Sequence, residues 1–183
     1  MNMTLSFTNA FDVALPPEQT WKLLQQLDLI APCLPGGTLT EWDGGDHFAG
    51  EVKTKLGPMR MTFGGKGRIT LRDTDAHRIQ ISGEGVEGKG RGRAQAEFGF
   101  VLAENDDGTT RVTSNAEVTL IGAVAQYGRG AGMIQALADE LTRQFAANLA
   151  CLIETGEAGE ASLSITKLAG RAIATRFRRS EET

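Results

Sequence analysis

The apolar residues of this chain change their spacing once, and that change decides most of what the chain can fold into. From Thr38 to about Gly122 they recur at every second position between glycine, aspartate and asparagine punctuation, and after Gly122 they recur at about every 3.6. Period two marks strands with one buried face, and period 3.6 marks one buried stripe on a helix. Met59, Met61 and Phe63 share a face; so do Ala94, Ala96, Phe98, Phe100 and Leu102, and again Val112, Ala116, Val118 and Leu120. The runs 38–43, 47–56, 58–72, 76–86, 91–104 and 109–121 predict a meander of six strands. Asn105-Asp106-Asp107-Gly108 predicts a hairpin, because Asp-Gly supplies the positive φ that joins paired strands. An earlier strand over 4–14 is read from the alternation of Leu5, Phe7, Phe11 and Val13.

Between that first strand and the meander lie two short helical pieces. Pro16-Pro17-Glu18 starts a helix over about 17–27 with Trp21, Leu24 and Leu27 on one face, and Asp28 caps a second piece through Leu29 and Ile30. Pro32, Pro35 and Gly36-Gly37 end it in a rigid elbow. After the meander, Met133, Ile134, Leu137, Leu141, Phe145, Leu149, Leu152 and Ile153 form the stripe of one long helix over about 124–154. One apolar sheet face opposite one apolar helix face implies a two-layer α+β domain, a curved antiparallel sheet of about seven strands wrapped around that helix. Gly64, Gly65, Gly67, Gly83, Gly85, Gly88, Gly90, Gly92 and Gly99 fall in the strand-like runs, where they permit sharp bends and leave space beside the backbone. The expected division is a domain over 1–154, a linker over 155–161 and a separate segment over 162–183.

Composition excludes several roles. A net charge of −4 speaks against a general nucleic-acid binder, which needs a basic surface to displace counterions. The first ten residues lack the basic and apolar regions of a secretory signal, so a cytoplasmic location is expected. No run approaches the roughly 20 apolar residues of a membrane span, so any membrane contact would be peripheral. Cys33 and Cys151 form no Cys-x-x-Cys pair and read as buried small hydrophobes, and His47 and His77 each lack a second ligand at metal spacing. No metal or cofactor is expected.

Gly83-Glu-Gly-Val-Glu-Gly88 matches a dinucleotide fingerprint, yet it leads into Gly90 and a strand instead of a helix N-terminus, so a turn is the better reading. Lys89, Arg91 and Arg93 read as a solvated strand face. No nucleophile elbow is present. Two groups of apolar residues either line a ligand cavity or simply fill a core: Met59, Met61, Phe63, Phe98, Phe100, Val118 and Leu120 from the sheet, and Tyr127, Met133, Ile134, Leu137 and Leu141 from the helix and its approach. In 162–183, five basic and two acidic residues leave a charge of +3, so the body carries −7. There Ile165, Leu168, Ala169, Ala172, Ile173 and Phe177 repeat at helical spacing beside Lys167, Arg171, Arg176, Arg178 and Arg179. A basic amphipathic helix of this kind lies in an anionic lipid interface or docks into a partner's groove, and Lys167, Arg171, Ile173, Arg176, Phe177, Arg178 and Arg179 are its contact candidates.

Four landmarks resemble a known family: Phe7 to Val13 running into Pro16-Pro17-Glu18 and Trp21, the elbow Cys33-Leu34-Pro35-Gly36, the segment Val52-Lys-Thr-Lys-Leu-Gly57-Pro58, and Gly122-Ala-Val-Ala-Gln-Tyr-Gly128 opening the long helix. Over about 3–154 the chain resembles the CoxG family, the G-type subunits of carbon monoxide dehydrogenase, within the START-like and birch-pollen-allergen-like superfamily. It departs in having Gly37 where the family usually has Cys after Pro-Gly. The resemblance implies a helix-grip fold, a lipophilic cavity and no catalysis of its own; taken with the basic tail, the expectation is that the domain carries a lipid-like ligand such as a quinone, or else only positions the oxidoreductase near its membrane acceptor. It also implies service to a molybdenum hydroxylase of the carbon monoxide dehydrogenase type at the inner face of the cytoplasmic membrane, with the tail as tether. The competing expectations are a passive lipid or hydrophobic small-molecule binder and a cyclase-like enzyme acting on a greasy substrate.

Overall fold

The strand-like runs pair into a single antiparallel sheet. The structure, a computed structural model, describes residues 1–56, 59–129 and 131–156. β1 (Asn2–Val13) is followed by helices α1 (Pro17–Leu24) and α2 (Leu27–Ile30), a 3-10 turn (Ala31–Cys33), and then β2 (Gly37–Trp42), β3 (His47–Leu56), β4 (Met59–Asp73), β5 (Arg78–Glu87), β6 (Gly92–Glu104) and β7 (Thr110–Gly122). A 3-10 segment (Ala123–Arg129) leads into α3 (Ala131–Thr155). The order β1-β7-β6-β5-β4-β3-β2 places the first strand beside the last and otherwise follows the chain. The β6–β7 hairpin closes through Asn105 and Thr109, whose backbone N–H and C=O bond at 2.8 Å.

Helical boundaries depart from the sequence reading in two places, and a turn in a third. The helix expected over 17–27 breaks at Gln26, whose ψ of 84° leaves the helical region, and the break lets Leu24 and Leu29 both turn inward. α3 begins at Ala131 instead of 124, because Val124 and Ala125 are buried within the 3-10 segment and Gly128 and Gly130 would each cost a helix about 1 kcal/mol. β5 runs through Gly83 and Gly85 to Glu87, so the expected turn at 83–88 is strand, and only 88–91 turns. The segment 162–183 and the linker from 157 onward lie outside the described residues, and so do Gly57 and Pro58.

The domain is packed unequally. One end is dense: Trp21, Leu24, Cys33, Ile69, Ile79, Phe100, Leu102, Val112, Leu149 and Leu152 form one buried cluster beneath α1, α2 and the C-terminal half of α3. Two buried threonines lock that end, since the Thr110 hydroxyl donates to the Leu15 carbonyl at 2.7 Å and that of Thr20 donates to Thr110 at 3.1 Å. At the other end the inner sheet face is almost bare. Gly67 pairs with Gly83, and Gly83 with Ala96; on the neighbouring rung Gly50 pairs with Gly65, Gly65 with Gly85, and Gly85 with Ala94. Two adjacent rungs therefore carry nothing larger than a methyl group across the middle strands. Larger residues bound them, Ile81 paired with Phe98 on one side and Val52 paired with Phe63 on the other.

The bare rungs differ in what they tolerate. A Cβ at Gly65 would overlap the Glu84 carbonyl oxygen, a backbone atom that can move only with β5, whereas at Gly83 the nearest atom would be the Lys66 oxygen at 3.5 Å. Gly65→Ala is expected to destabilise the domain by roughly 2 kcal/mol, while Gly83→Ala should change stability by less than about 1 kcal/mol and can raise it. Urea unfolding of the two variants checks this, and equal effects would contradict the close approach at Gly65.

Candidate functional site

The bare rungs form the floor of a cavity of about 580 Å³ between the sheet and α3. Its roof is Ile134, Leu137, Ala138 and Leu141, at spacings of three and four along α3. Leu5 and Phe7 of β1 and Val118 and Leu120 of β7 form one wall, and Phe48, Val52 and Thr54 of β3 the opposite one. Leu34 reaches in from the elbow, which is held by the backbone N–H of Lys53 donating to the Gly36 carbonyl at 2.8 Å. Gly36 has φ +75°, and a side chain there would overlap the Lys53 carbonyl oxygen, so the elbow and β3 approach this closely only through glycine.

The surface offered inward is apolar. Among the described lining residues, Thr54 brings a hydroxyl, and the two charged residues, Lys66 and Glu84, stand at exposed positions between glycines. They also line a polar groove on the outer sheet face, with Arg68, Glu97 and Glu117. The sheet is one backbone thick there, with a greasy hollow inside and a charged groove outside.

Of the sequence-predicted candidates, Met61, Phe63, Phe98, Val118, Leu120, Ile134, Leu137 and Leu141 come together in this cavity. Met59 and Tyr127 are not among its lining residues, although Tyr127 packs against the same cluster. Phe100 shares the face of Phe98 but lies one rung further along β6, in the dense end, with its ring edge-on to Trp21 at 6.3 Å. The Met133 side chain and the whole of Lys167, Arg171, Ile173, Arg176, Phe177, Arg178 and Arg179 fall outside the described residues. Leu5, Phe7, Leu34, Phe48 and Val52 line the cavity without being sequence candidates. The alternation of Leu5 and Phe7 is visible in the sequence, but only the cross-strand register sets these side chains opposite the bare rungs.

At the end of β5 the structure reverses an expectation. Arg91 is not a solvated strand residue: its guanidinium bonds Glu87 at 2.7 Å and the Arg60 carbonyl at 3.1 Å, and Glu87 is only 2% exposed. Glu87 also accepts backbone N–H bonds from Lys89 and Arg91. The side-chain hydrogen bond from Arg91, helped by those two amides, holds the Glu87 carboxyl down at about 2. This clasp closes the 88–91 turn next to Val124, whose N–H donates to the Arg91 carbonyl, and so ties the β5–β6 turn to the segment leading into α3.

Burial, and after it the proximity of Cys151, pushes the Cys33 thiol up to about 11, so it is protonated at neutral pH. Cys151 is half-buried, not buried as expected. His77 bonds Glu18 at 3.1 Å and lies against the Trp21 ring. Among the described residues no group of His, Cys, Asp and Glu is placed to hold a metal, and no helix is long and apolar enough to cross a membrane.

A strongly curved antiparallel sheet closed on one long helix, with two short helices after the first strand and an apolar hollow between the layers, is the helix-grip architecture. Solved structures share it. A conserved protein from Geobacillus kaustophilus superimposes with a TM-score of 0.70 at 19% identity, covering 83% of this chain and 97% of its own. The ZhuI aromatase/cyclase from Streptomyces sp. R1128 gives 0.56 at 13%, covering 83% and 94%, and truncated norcoclaurine synthase from Thalictrum flavum gives 0.54 at 14%, covering 85% and 96%. At these identities the likeness is one of fold. No curated protein sequence matches significantly. The model of the CoxG family, the G-type subunits of carbon monoxide dehydrogenase, matches residues 10–153, and the chain belongs to that family.

The Glu87 clasp has a pH signature. A carboxyl held near 2 when folded and near 4.5 when unfolded adds stability that is complete above about pH 4.5 and is lost as pH falls toward 2. Glu87→Gln should therefore be less stable than the unaltered protein at pH 7, with the gap narrowing between pH 4.5 and 2. Urea midpoints across that range test this, and a gap independent of pH would show that the carboxylate does not stabilise the turn.

Proposed function

We propose that the domain is a non-catalytic carrier that holds a lipophilic molecule in the cavity between sheet and α3, a quinone or another membrane lipid, in the service of a molybdenum hydroxylase of the carbon monoxide dehydrogenase type. The observation that carries this reading is the cavity itself. Its volume of about 580 Å³ lies within the range of small-molecule sites, and its walls are nearly all apolar. Membership of the CoxG family supports the choice of partner.

The chemistry of the walls favours carriage over catalysis. A cyclase-like enzyme needs an acid or base facing its substrate, and among the described lining residues the charged side chains stand at exposed positions that also border the outer groove. Among the described residues the buried carboxyl is that of Glu87, and it is engaged by Arg91 and two backbone amides. The segment 162–183 would hold the carrier against the inner face of the cytoplasmic membrane, each basic residue near an anionic surface adding on the order of 1 kcal/mol.

Mass spectrometry of an organic extract of the full chain, purified gently from its own host, tests the carrier reading. One lipophilic compound is expected at near-stoichiometric yield, and it should be lost from Gly83→Leu, which adds bulk to the cavity lining at a position where a Cβ meets only the Lys66 carbonyl oxygen, at 3.5 Å. An extract identical for the two proteins would overturn the reading. Removing 162–183 is expected to keep the compound and abolish co-sedimentation with anionic vesicles.

A further inference from the structure

The polar groove lies on the sheet face turned away from α3. It has a volume of about 490 Å³ and runs across the strands. Its floor is the backbone of Gly67, Gly83 and Ala96, one rung shared by β4, β5 and β6. Side chains alternate between the two faces, so the rungs on either side of that floor point outward and form its banks. One bank carries Arg68, Ser82, Glu97 and Glu117 from β4 to β7, and the other carries Lys66, Glu84 and Gln95.

The charges along this groove are sorted and unpaired. Lys66 and Arg68 flank the floor at its β4 end, while Glu97 and Glu117 are direct cross-strand neighbours at its β6–β7 end. Like charges placed opposite each other across two strands repel and destabilise the pairing. The same sheet pairs its charges elsewhere: Arg111 bonds its cross-strand partner Asp12 at 2.9 Å, and Arg72 bonds Asp46 at 3.1 Å. In the groove Lys66 and Glu84 are cross-strand partners without forming an ion pair, and among the described residues Arg68, Glu97 and Glu117 form none either. All five are exposed. Hydration requires no such sorting, because interspersed charges keep a face soluble equally well. A partner of complementary charge does require it.

We propose that this groove docks the molybdenum hydroxylase, through a segment of that enzyme carrying one acidic and one basic side chain about 10 Å apart. Arg68 and Glu97 share a rung two strands apart, about 10 Å at the usual strand spacing, and opposite charges two turns apart on a helix match that separation. The acid of the segment meets Lys66 and Arg68, and its base meets Glu97 and Glu117. Shape and charge argue against other occupants. The groove is concave, so the same face of a second copy has nothing to fill it with, and Glu84, Glu97 and Glu117 repel anionic lipid and nucleic acid. Gly67, Gly83 and Ala96 line the apolar cavity as well as the groove, so the docked enzyme lies one backbone thickness from the hollow. The proposal rests on the reading of that oxidoreductase as the partner.

The test measures binding of the purified molybdenum hydroxylase of the same host to the immobilised full chain in lipid-free buffer. Arg68→Glu, and separately Glu97→Lys combined with Glu117→Lys, should each weaken binding about tenfold or more, and added salt should weaken binding of the unaltered chain. Lys22→Glu on α1 and Glu154→Lys on α3 reverse exposed charges outside the groove and should change the affinity less than about twofold. Uptake of N-phenyl-1-naphthylamine should be the same in all these proteins, because Arg68, Glu97 and Glu117 are not among the residues lining the cavity. Equal affinity of the enzyme for the groove variants and the unaltered chain would overturn the groove and leave the partner reading standing. An enzyme that does not bind the unaltered chain would overturn the partner reading and the proposal with it. Dye uptake lost along with enzyme binding in both groove variants would trace the effect to the fold and overturn the docking site. A dimer of the unaltered chain in sedimentation that Arg68→Glu dissociates would assign the groove to a second copy instead.

Discussion

Everything distinctive in this domain follows from the alignment of small residues across the sheet. Gly67, Gly83 and Ala96 fall on one rung and Gly50, Gly65, Gly85 and Ala94 on the next. Glycine is unfavourable in a strand because it costs backbone entropy and packs no side chain. Five glycines in register give up that stabilisation in one place; the Phe48 ring lies over Gly67, and the space left beside it is the cavity. If the pairing slipped by one residue, the inner face would carry Lys66, Glu84 and Gln95 instead, so the hydrophobic pattern that holds register also keeps the hollow greasy.

The dense end compensates for the hollow one. Trp21, Phe100, Leu102, Val112, Leu149 and Leu152 are packed into one buried cluster, pinned by the Thr20–Thr110 pair beneath α1. Removing large side chains from such a cluster typically costs about 2–5 kcal/mol each, so the fold is anchored away from the site. Around the hollow, rigidity comes from backbone and polar contacts: the Gly36–Lys53 clasp holds the elbow and Leu34, and the Glu87–Arg91 clasp holds the turn beside Val124. An apolar space framed in this way can stay open without its walls collapsing inward.

Much of this is legible in the sequence, and what is not has physical causes. The period-two runs mark all seven strands to within two or three residues, because half-buried strands write their burial into every second side chain. Periodicity puts the start of α3 seven residues too early, since Val124 and Ala125 are as buried in a 3-10 segment as they would be in a helix and spacing cannot tell the two apart. Phe100 groups with Phe98 in the sequence because both share a face, but whether a residue lines a cavity depends also on its position along the strand. Arg91 reads as solvated because a buried ion pair across a turn, here with Glu87, has no periodic signature. The glycines are visible as a cluster; that five of them share two rungs emerges only once the strands are paired.

Whether the hollow binds a lipophilic molecule or is only a loosely packed core is decided most directly by calorimetric titration. The full chain is titrated with a water-soluble short-chain quinone at several temperatures, and the series is repeated on Gly83→Leu. A binding site in the hollow predicts one site with a negative heat-capacity change, the mark of apolar surface leaving water, and no binding to Gly83→Leu. Binding of equal strength to both proteins, or no heat with either at any temperature, would contradict it.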